Sequence, residues 1–255
     1  MNRAGLPVSL IILAGGKSAR MGADKAGLPV PGGTLIGHVL SQVKDLFDEV
    51  LLSVSRGQAV DTPGCRTVED AAPGQGPIAG ILAGLKAAKN DLCAVLACDI
   101  PDVDAGFLRG LVGKARDFDI VVPVSSEGHF EPLFAVYRRS VIPEIEALVQ
   151  ARDFSILTLF KRCQTRKVVL KDSGWLRNLN TPEDYENYLR ELRKGPDRIR
   201  TPGRKSGALP AGVSPSKPFL PEECVKQDPT QGFRRQGCDE RTDHKRPDKR
   251  TRRQR

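Results

Sequence analysis

The 255-residue sequence predicts an α/β protein: a three-layer α/β/α sandwich around a mostly parallel sheet. Three observations carry this. Short apolar runs alternate along the chain with segments whose apolar residues return at helical spacing. The first apolar run stops abruptly at a glycine pair, as a buried strand does when it turns into a loop. Helix-start signals stand where the helical segments begin: Pro77 suits a first turn, and Thr181-Pro182-Glu183-Asp184 supplies a cap, a proline and two acids.

In chain order, strands are expected at Val8–Ala14, Glu49–Ser55, Leu92–Ala97, Asp119–Val124, Pro132–Tyr137 and Arg166–Leu170. Helices are expected at Leu35–Phe47, Ile78–Lys89, Ala105–Arg116 and Val141–Val149, with a last one opening at Thr181. In such a sheet, ligands gather at the carboxyl ends of the strands.

The first of those ends is the richest in chemistry. The run Val8, Leu10, Ile11, Ile12, Leu13 passes into Ala14-Gly15-Gly16 and then Lys17-Ser18-Ala19-Arg20-Met21-Gly22-Ala23-Asp24-Lys25. Glycines let backbone N–H groups approach an anion, and Arg20 and Lys25 bring positive charge to it. The spacing is not that of a P-loop, because Lys17 follows Gly16 directly with no glycine at the required distance before it. Nor is it the dinucleotide fingerprint G-x-G-x-x-G, because Gly15 and Gly16 are adjacent and the next glycine is Gly22.

The string Leu13-Ala14-Gly15-Gly16-x-Ser18-x-Arg20-Met21-Gly22-x-Asp24-Lys25 resembles the signature of the nucleotidyltransferase superfamily, in the branch of the molybdenum cofactor guanylyltransferases (the MobA family). The second glycine is the distinguishing letter. Relatives that use CTP usually resemble L-A-A-G here, whereas L-A-G-G looks like the guanylyl branch. The resemblance spans roughly residues 8–190 and implies a Rossmann-like nucleotidyltransferase fold.

Three further segments lie at predicted strand ends. Asp99, in Cys98-Asp99-Ile100-Pro101, follows a buried strand directly. A carboxylate there suits Mg²⁺, which takes hard oxygen ligands and shares them with substrate phosphates; an ordinary turn aspartate is the other reading. The segment resembles the family's C-D-x-P motif, which implies that Asp99 binds metal and nucleotide. Val68-Glu69-Asp70 leads through Gly74-Gln75-Gly76 into a helix start, where N–H groups face a polar ligand. The resemblance implies that Asp70 reads guanine, and a carboxylate can accept from the N1–H and N2 amino groups of that base together. Asn178-Leu179-Asn180-Thr181-Pro182-Glu183-Asp184 looks like the family's N-x-N-T-P-E-D element, which contacts the acceptor. Asn178 and Asn180 share one face of an extended chain, while Thr181 caps the last helix.

Glu131-Pro132-Leu133 resembles the family's substrate-side E-P-L. His129 reads as an exposed loop residue and His38 as structural. Ser53 ends the second strand where family members often carry Asn, which weakens a nucleotide contact there.

Size and charge bound the rest. A chain of this length holds one core plus an appendage. Residues 195–255 contain sixteen Lys/Arg and eight Asp/Glu, so +8 of the net +9 belongs to that segment and +1 to residues 1–194. With eight prolines, six glycines and no apolar periodicity, the tail is expected to be disordered. Residues 1–194 are the expected nucleotidyltransferase domain, with no nucleic-acid surface implied. The six cysteines show no C-x-x-C pair or zinc spacing. No signal or membrane span is read, so a reduced, cytoplasmic, Mg²⁺-dependent transferase is expected.

The resemblance implies transfer of GMP from GTP to the terminal phosphate of molybdopterin, or its molybdenum-loaded form, with release of pyrophosphate. Arg20, Lys25 and Asp99 would be catalytic. Leu13, Ala14, Gly15, Gly16, Lys25, Asp70 and Asp99 would bind the nucleotide, and Asn178 and Asn180 the acceptor. Molybdoenzyme maturation proteins are expected as further partners, and a monomer as the acting form. Two alternatives stay open: a cytidylyltransferase or other nucleotidyltransferase of the same fold, and a non-catalytic GTP- or cofactor-binding chaperone.

Overall fold

The computed structural model describes residues 6–15, 25–60, 62, 64–70, 74–170 and 175–194. All of them belong to a unit spanning Met1–Ser206. The basic tail from 195 onward lies outside the described residues.

Among the described residues seven strands form one sheet: β1 (Leu6–Leu13), β4 (Phe47–Ser55), β5 (Arg66–Asp70), β6 (Leu92–Ala97), β7 (Ile120–Val124), β8 (Phe134–Arg138) and β9 (Thr165–Val169). A two-stranded hairpin of β2 (Pro29–Val30) and β3 (Gly33–Thr34) stands apart. The sheet order is β5-β4-β1-β6-β8-β7-β9, and β8 alone runs antiparallel to its neighbours. Six α-helices among the described residues accompany the strands: α1 (Leu35–Val43), α2 (Pro77–Ala87), α3 (Ala105–Gly113), α4 (Ile142–Gln150), α5 (Ile156–Arg162) and α6 (Pro182–Arg193).

The central strands β1, β6, β7 and β8 are largely apolar because both faces are covered. On β1, Leu10 and Ile12 join a core with Ile36, Val39 and Val43 of α1 and Leu108 and Leu111 of α3. The alternate residues Ile11 and Leu13 join a second core with Ile78, Ile81 and Leu85 of α2, Ile145 and Leu148 of α4, and Leu159 of α5. This period-2 division of one strand between two helical layers produces the sandwich. A third, smaller core gathers Val30, Leu35, Leu179 and Tyr188, joining α6 to the hairpin and the start of α1.

The chain winds from β1 outward through β4 to β5, then returns through α2 to β6 on the opposite side of β1. That reversal opens a crevice at the carboxyl ends of β1 and β6. Helix α2 lies close to the sheet. A Cβ on Gly84 would stand 2.5 Å from Ile11 Cγ2, and one on Gly80 would stand 3.1 Å from both Leu13 Cδ2 and Ser53 Oγ. Glycine at these positions permits the approach.

Two elements go beyond the expected ones. Asp70 ends a strand, β5, that is half-exposed and carries Arg66, Glu69 and Asp70, so it has no apolar run to reveal it. The short α5 also escapes periodicity, being only seven residues long. The expected capping at Thr181 is observed in full: Thr181 Oγ1 accepts from Asp184 N at 3.1 Å and Asp184 Oδ2 accepts from Thr181 N at 2.8 Å.

Candidate functional site

The site forms where β1, β4 and β6 end. Beyond Leu13, the N–H groups of Ala14 and Gly15 both donate to Ser53 O, at 2.8 and 3.1 Å. These two amides hold the end of β1 to β4 and are not free anion donors. Gly15 must lack a Cβ, which would stand 2.8 Å from Ser55 N. Gln58, a residue that carries no motif, completes the clamp. Its Oε1 accepts from Ser55 N at 3.0 Å and its Nε2 donates to Ala14 O at 3.1 Å. Ser53 is 2 % exposed and packs beside α2, a structural role in keeping with its departure from Asn. Gly16 and Arg20 lie outside the described residues.

On the other side of β1, Cys98 N donates to Leu13 O at 3.0 Å, which carries the pairing with β1 one residue past the end of β6. Asp99 is thereby set at the lip of the crevice. Lys25 Nζ donates to Asp99 Oδ2 at 2.8 Å and to Asn180 Oδ1 at 3.2 Å. The side chains of Lys25 and Asp99 are only 15 % and 21 % exposed. One ammonium therefore touches the expected metal carboxylate and an expected acceptor amide together.

The segment 177–180 is anchored from below. Leu179, 1 % exposed, enters the third core, and its N–H donates to Asp99 O at 2.9 Å. Asn178 and Asn180 are exposed on the opposite face. Asn180 N donates to Asp184 Oδ2 at 3.0 Å, extending the capping box back into the segment. Three hydrogen bonds, from Thr181 and the Thr181 and Asn180 amides, hold the Asp184 carboxyl below the usual carboxylate range. Asn178 borders a groove of about 370 Å³ that Asp184, Asn187, Arg190 and Lys194 also line.

Asp70 stands at the carboxyl end of β5. It pairs with Ser55 in the β4–β5 ladder, and α2 begins nearby in chain at Gly76, whose φ of 71° suits glycine. β5, which ends at Asp70, and β6, which precedes Asp99, are three inter-strand steps apart, about 14 Å at ~4.8 Å per step. Asp70 therefore stands well apart from the Lys25–Asp99 pair. Glu131, in the β7–β8 connection, donates its N–H to Pro123 O at 3.0 Å. Burial raises its carboxyl pKa, partly offset by His129.

A profile of the family described as the MobA-like NTP transferase domain matches residues 10–166. The chain belongs to that family.

Relatives match well beyond the domain core. A probable molybdenum cofactor guanylyltransferase of Carboxydothermus hydrogenoformans is 33 % identical over 192 residues, covering 72 % of this chain and 95 % of the relative. The molybdenum cofactor guanylyltransferase of Pseudomonas putida is 36 % identical over 185 residues, covering 71 % and 97 %. Among solved structures, molybdopterin-guanine dinucleotide biosynthesis protein A of Archaeoglobus fulgidus superposes with a TM-score of 0.63 at 24 % identity, covering 74 % of this chain and all of that one. At that identity the superposition speaks for the fold.

One set of residues has no counterpart in the sequence reading. Arg177 Nη2 donates to Asp102 Oδ2 at 3.1 Å, its Nη1 lies 2.7 Å from Glu191 Oε2, and its guanidinium sits 5.0 Å from the Tyr188 ring centroid. Tyr188 Oη donates to Asp102 Oδ1 at 3.2 Å and lies 2.9 Å from His38 Nε2. Alternation with the buried Leu179 was the one signal that pointed Arg177 inward.

Proposed function

We propose that the protein transfers GMP from GTP to the terminal phosphate of molybdopterin, releasing pyrophosphate and forming the guanine dinucleotide cofactor. The observation that carries this is the shared contact of Lys25 with Asp99 and Asn180, which puts the donor and acceptor halves of the family's motifs around one cation. The names of the relatives support the same substrates.

The nucleotide would lie across the strand ends, its base toward Asp70 and its phosphates toward Lys25 and Asp99. The Asp70-to-Asp99 separation suits an extended nucleoside triphosphate. The acceptor phosphate is already an anionic nucleophile and needs little general-base help. Its obstacle is repulsion between two anions and their alignment. Lys25, together with Arg20, would neutralise charge on the triphosphate, while Asn178 and Asn180 would orient the acceptor.

Among the described residues no group of three or more His, Cys, Asp or Glu is arranged to hold a metal by itself. Asp99 nevertheless fits Mg²⁺, which binds through one or two carboxylates and completes its shell with water and substrate phosphate. When bound there, Mg²⁺ would supply charge neutralisation and in-line orientation of the triphosphate. Among the described residues no helix is long and apolar enough to cross a membrane.

The test is pyrophosphate release by the purified protein with GTP, Mg²⁺ and molybdopterin. Asp99→Ala is expected to abolish most of it, and normal turnover by that variant would remove Asp99 from the mechanism.

A further inference from the structure

The acceptor segment is tied to the metal-side segment by rungs that use its inward-facing residues. Leu179 N donates to Asp99 O at 2.9 Å. Two residues earlier, Arg177 Nη2 donates to Asp102 Oδ2 at 3.1 Å. The outward-facing residues between and beyond these rungs are Asn178 and Asn180, so the position of both amides is set from behind.

We propose that Arg177 is a positioning residue for the acceptor, fixing Asn178 and Asn180 at a set distance from Asp99 through Asp102. This rests on the reading of Asn178 and Asn180 as acceptor contacts.

The geometry favours Arg177 for this task over a generic surface ion pair. Its carboxylate partner Asp102 is 13 % exposed and Arg177 itself 34 %, so solvent screens the pair less than an exposed one. The guanidinium is planar and held at three points: Asp102 on the sheet side, Glu191 on α6, and the Tyr188 ring. Asp102 is in turn oriented by Tyr188 Oη, which His38 of α1 also contacts. Each of the elements that frames the segment thus contributes a fixed group. Segment position matters to the proposed reaction because the nucleophile and the triphosphate must meet in line, and misplacement by about 1 Å can cost ~10²-fold.

The test is steady-state kinetics of the full-length protein, varying GTP and molybdopterin separately, with the melting temperature recorded for each variant. Arg177→Ala is expected to lower kcat/KM for the acceptor by on the order of 10- to 10²-fold while leaving the KM for GTP unchanged. Arg177→Lys keeps the charge without the fork and should recover part of the loss. Tyr188→Phe retains the ring and removes only the hydroxyl contacts, so a smaller loss on the acceptor side alone is expected; this variant and Arg177→Lys decide the matter if Arg177→Ala does not fold. A lower melting temperature with an unchanged kcat/KM for the acceptor, or equal rises in both KM values, would overturn the inference. Asn180→Ala is the reference: if it too leaves kcat/KM for the acceptor unchanged, the acceptor reading itself fails, whereas an effect for Asn180→Ala but none for the Arg177 and Tyr188 variants sinks only the positioning role.

Discussion

Lys25 and Asp99, 74 residues apart in sequence, form an ion pair of 2.8 Å at the mouth of the crevice, and the same ammonium reaches Asn180 at 3.2 Å. If Asp99 takes a divalent cation, Lys25 and that cation compete for one carboxylate. Lys25→Met is therefore expected to bind Mn²⁺ more tightly than the unaltered protein when nucleotide is absent, by titration calorimetry, while turnover falls by about 10²-fold or more as for a lost transition-state charge donor. Weaker Mn²⁺ binding by the variant would argue against competition at Asp99.

Glycine is required at two positions for different ends. At Gly15 a Cβ would stand 2.8 Å from the backbone N of Ser55, beside the pocket wall; at Gly84 it would stand 2.5 Å from Ile11 Cγ2, within the core. Both alanine variants should lose about 1–3 kcal/mol of stability by overpacking, measured by urea denaturation. Only Gly15→Ala is expected to weaken GTP binding as well. Equal GTP affinity for the two variants would separate Gly15 from the nucleotide pocket.

Asp184 supplies a pH dependence. Its carboxyl is held low by Thr181 and by two backbone amides, so its contribution to stability is fully present above the ordinary aspartate value of about 3.9. That contribution is lost as pH falls from there through the lower folded value. Asp184→Asn should show a shallower fall in stability on the acid side than the parent, read from denaturation midpoints across the acid range. Parallel curves would show that the capping carboxylate does not titrate as described.

Cys93 is fully buried and burial pushes its thiol up to about 12. Alkylation at pH 8 followed by peptide mapping should leave Cys93 unmodified in the folded protein and modify it in denaturant. Rapid labelling under native conditions would contradict the close cover that α2, α4 and α5 give this face of β6.

The parts of this fold that were legible in the sequence are those whose residues face buried surroundings on both sides. The run from Leu10 to Leu13 is uniformly apolar because alternate residues enter two different cores. The strand Arg66–Asp70 was not read as one, since its edge position leaves it half solvated and charged. The direction of β8 is not written in its side chains; only the short connection after Val124, too short for a parallel crossover, hints that it runs back. At the site, Lys25, Asp99 and Asn180, whose side chains meet, were legible as a group only through strings that resemble the family's motifs. Asp102, Arg177 and Tyr188 were not, because each looks like an ordinary residue until the fold brings them together.

The most direct measurement is nucleotide preference in the complete transfer reaction. Purified protein with molybdopterin and Mg²⁺ is given GTP or CTP, and pyrophosphate and dinucleotide product are quantified together. The account predicts pyrophosphate and guanine dinucleotide in equal amounts from GTP, with little reaction from CTP. Preference for CTP, or tight GTP binding with no pyrophosphate released, would contradict it.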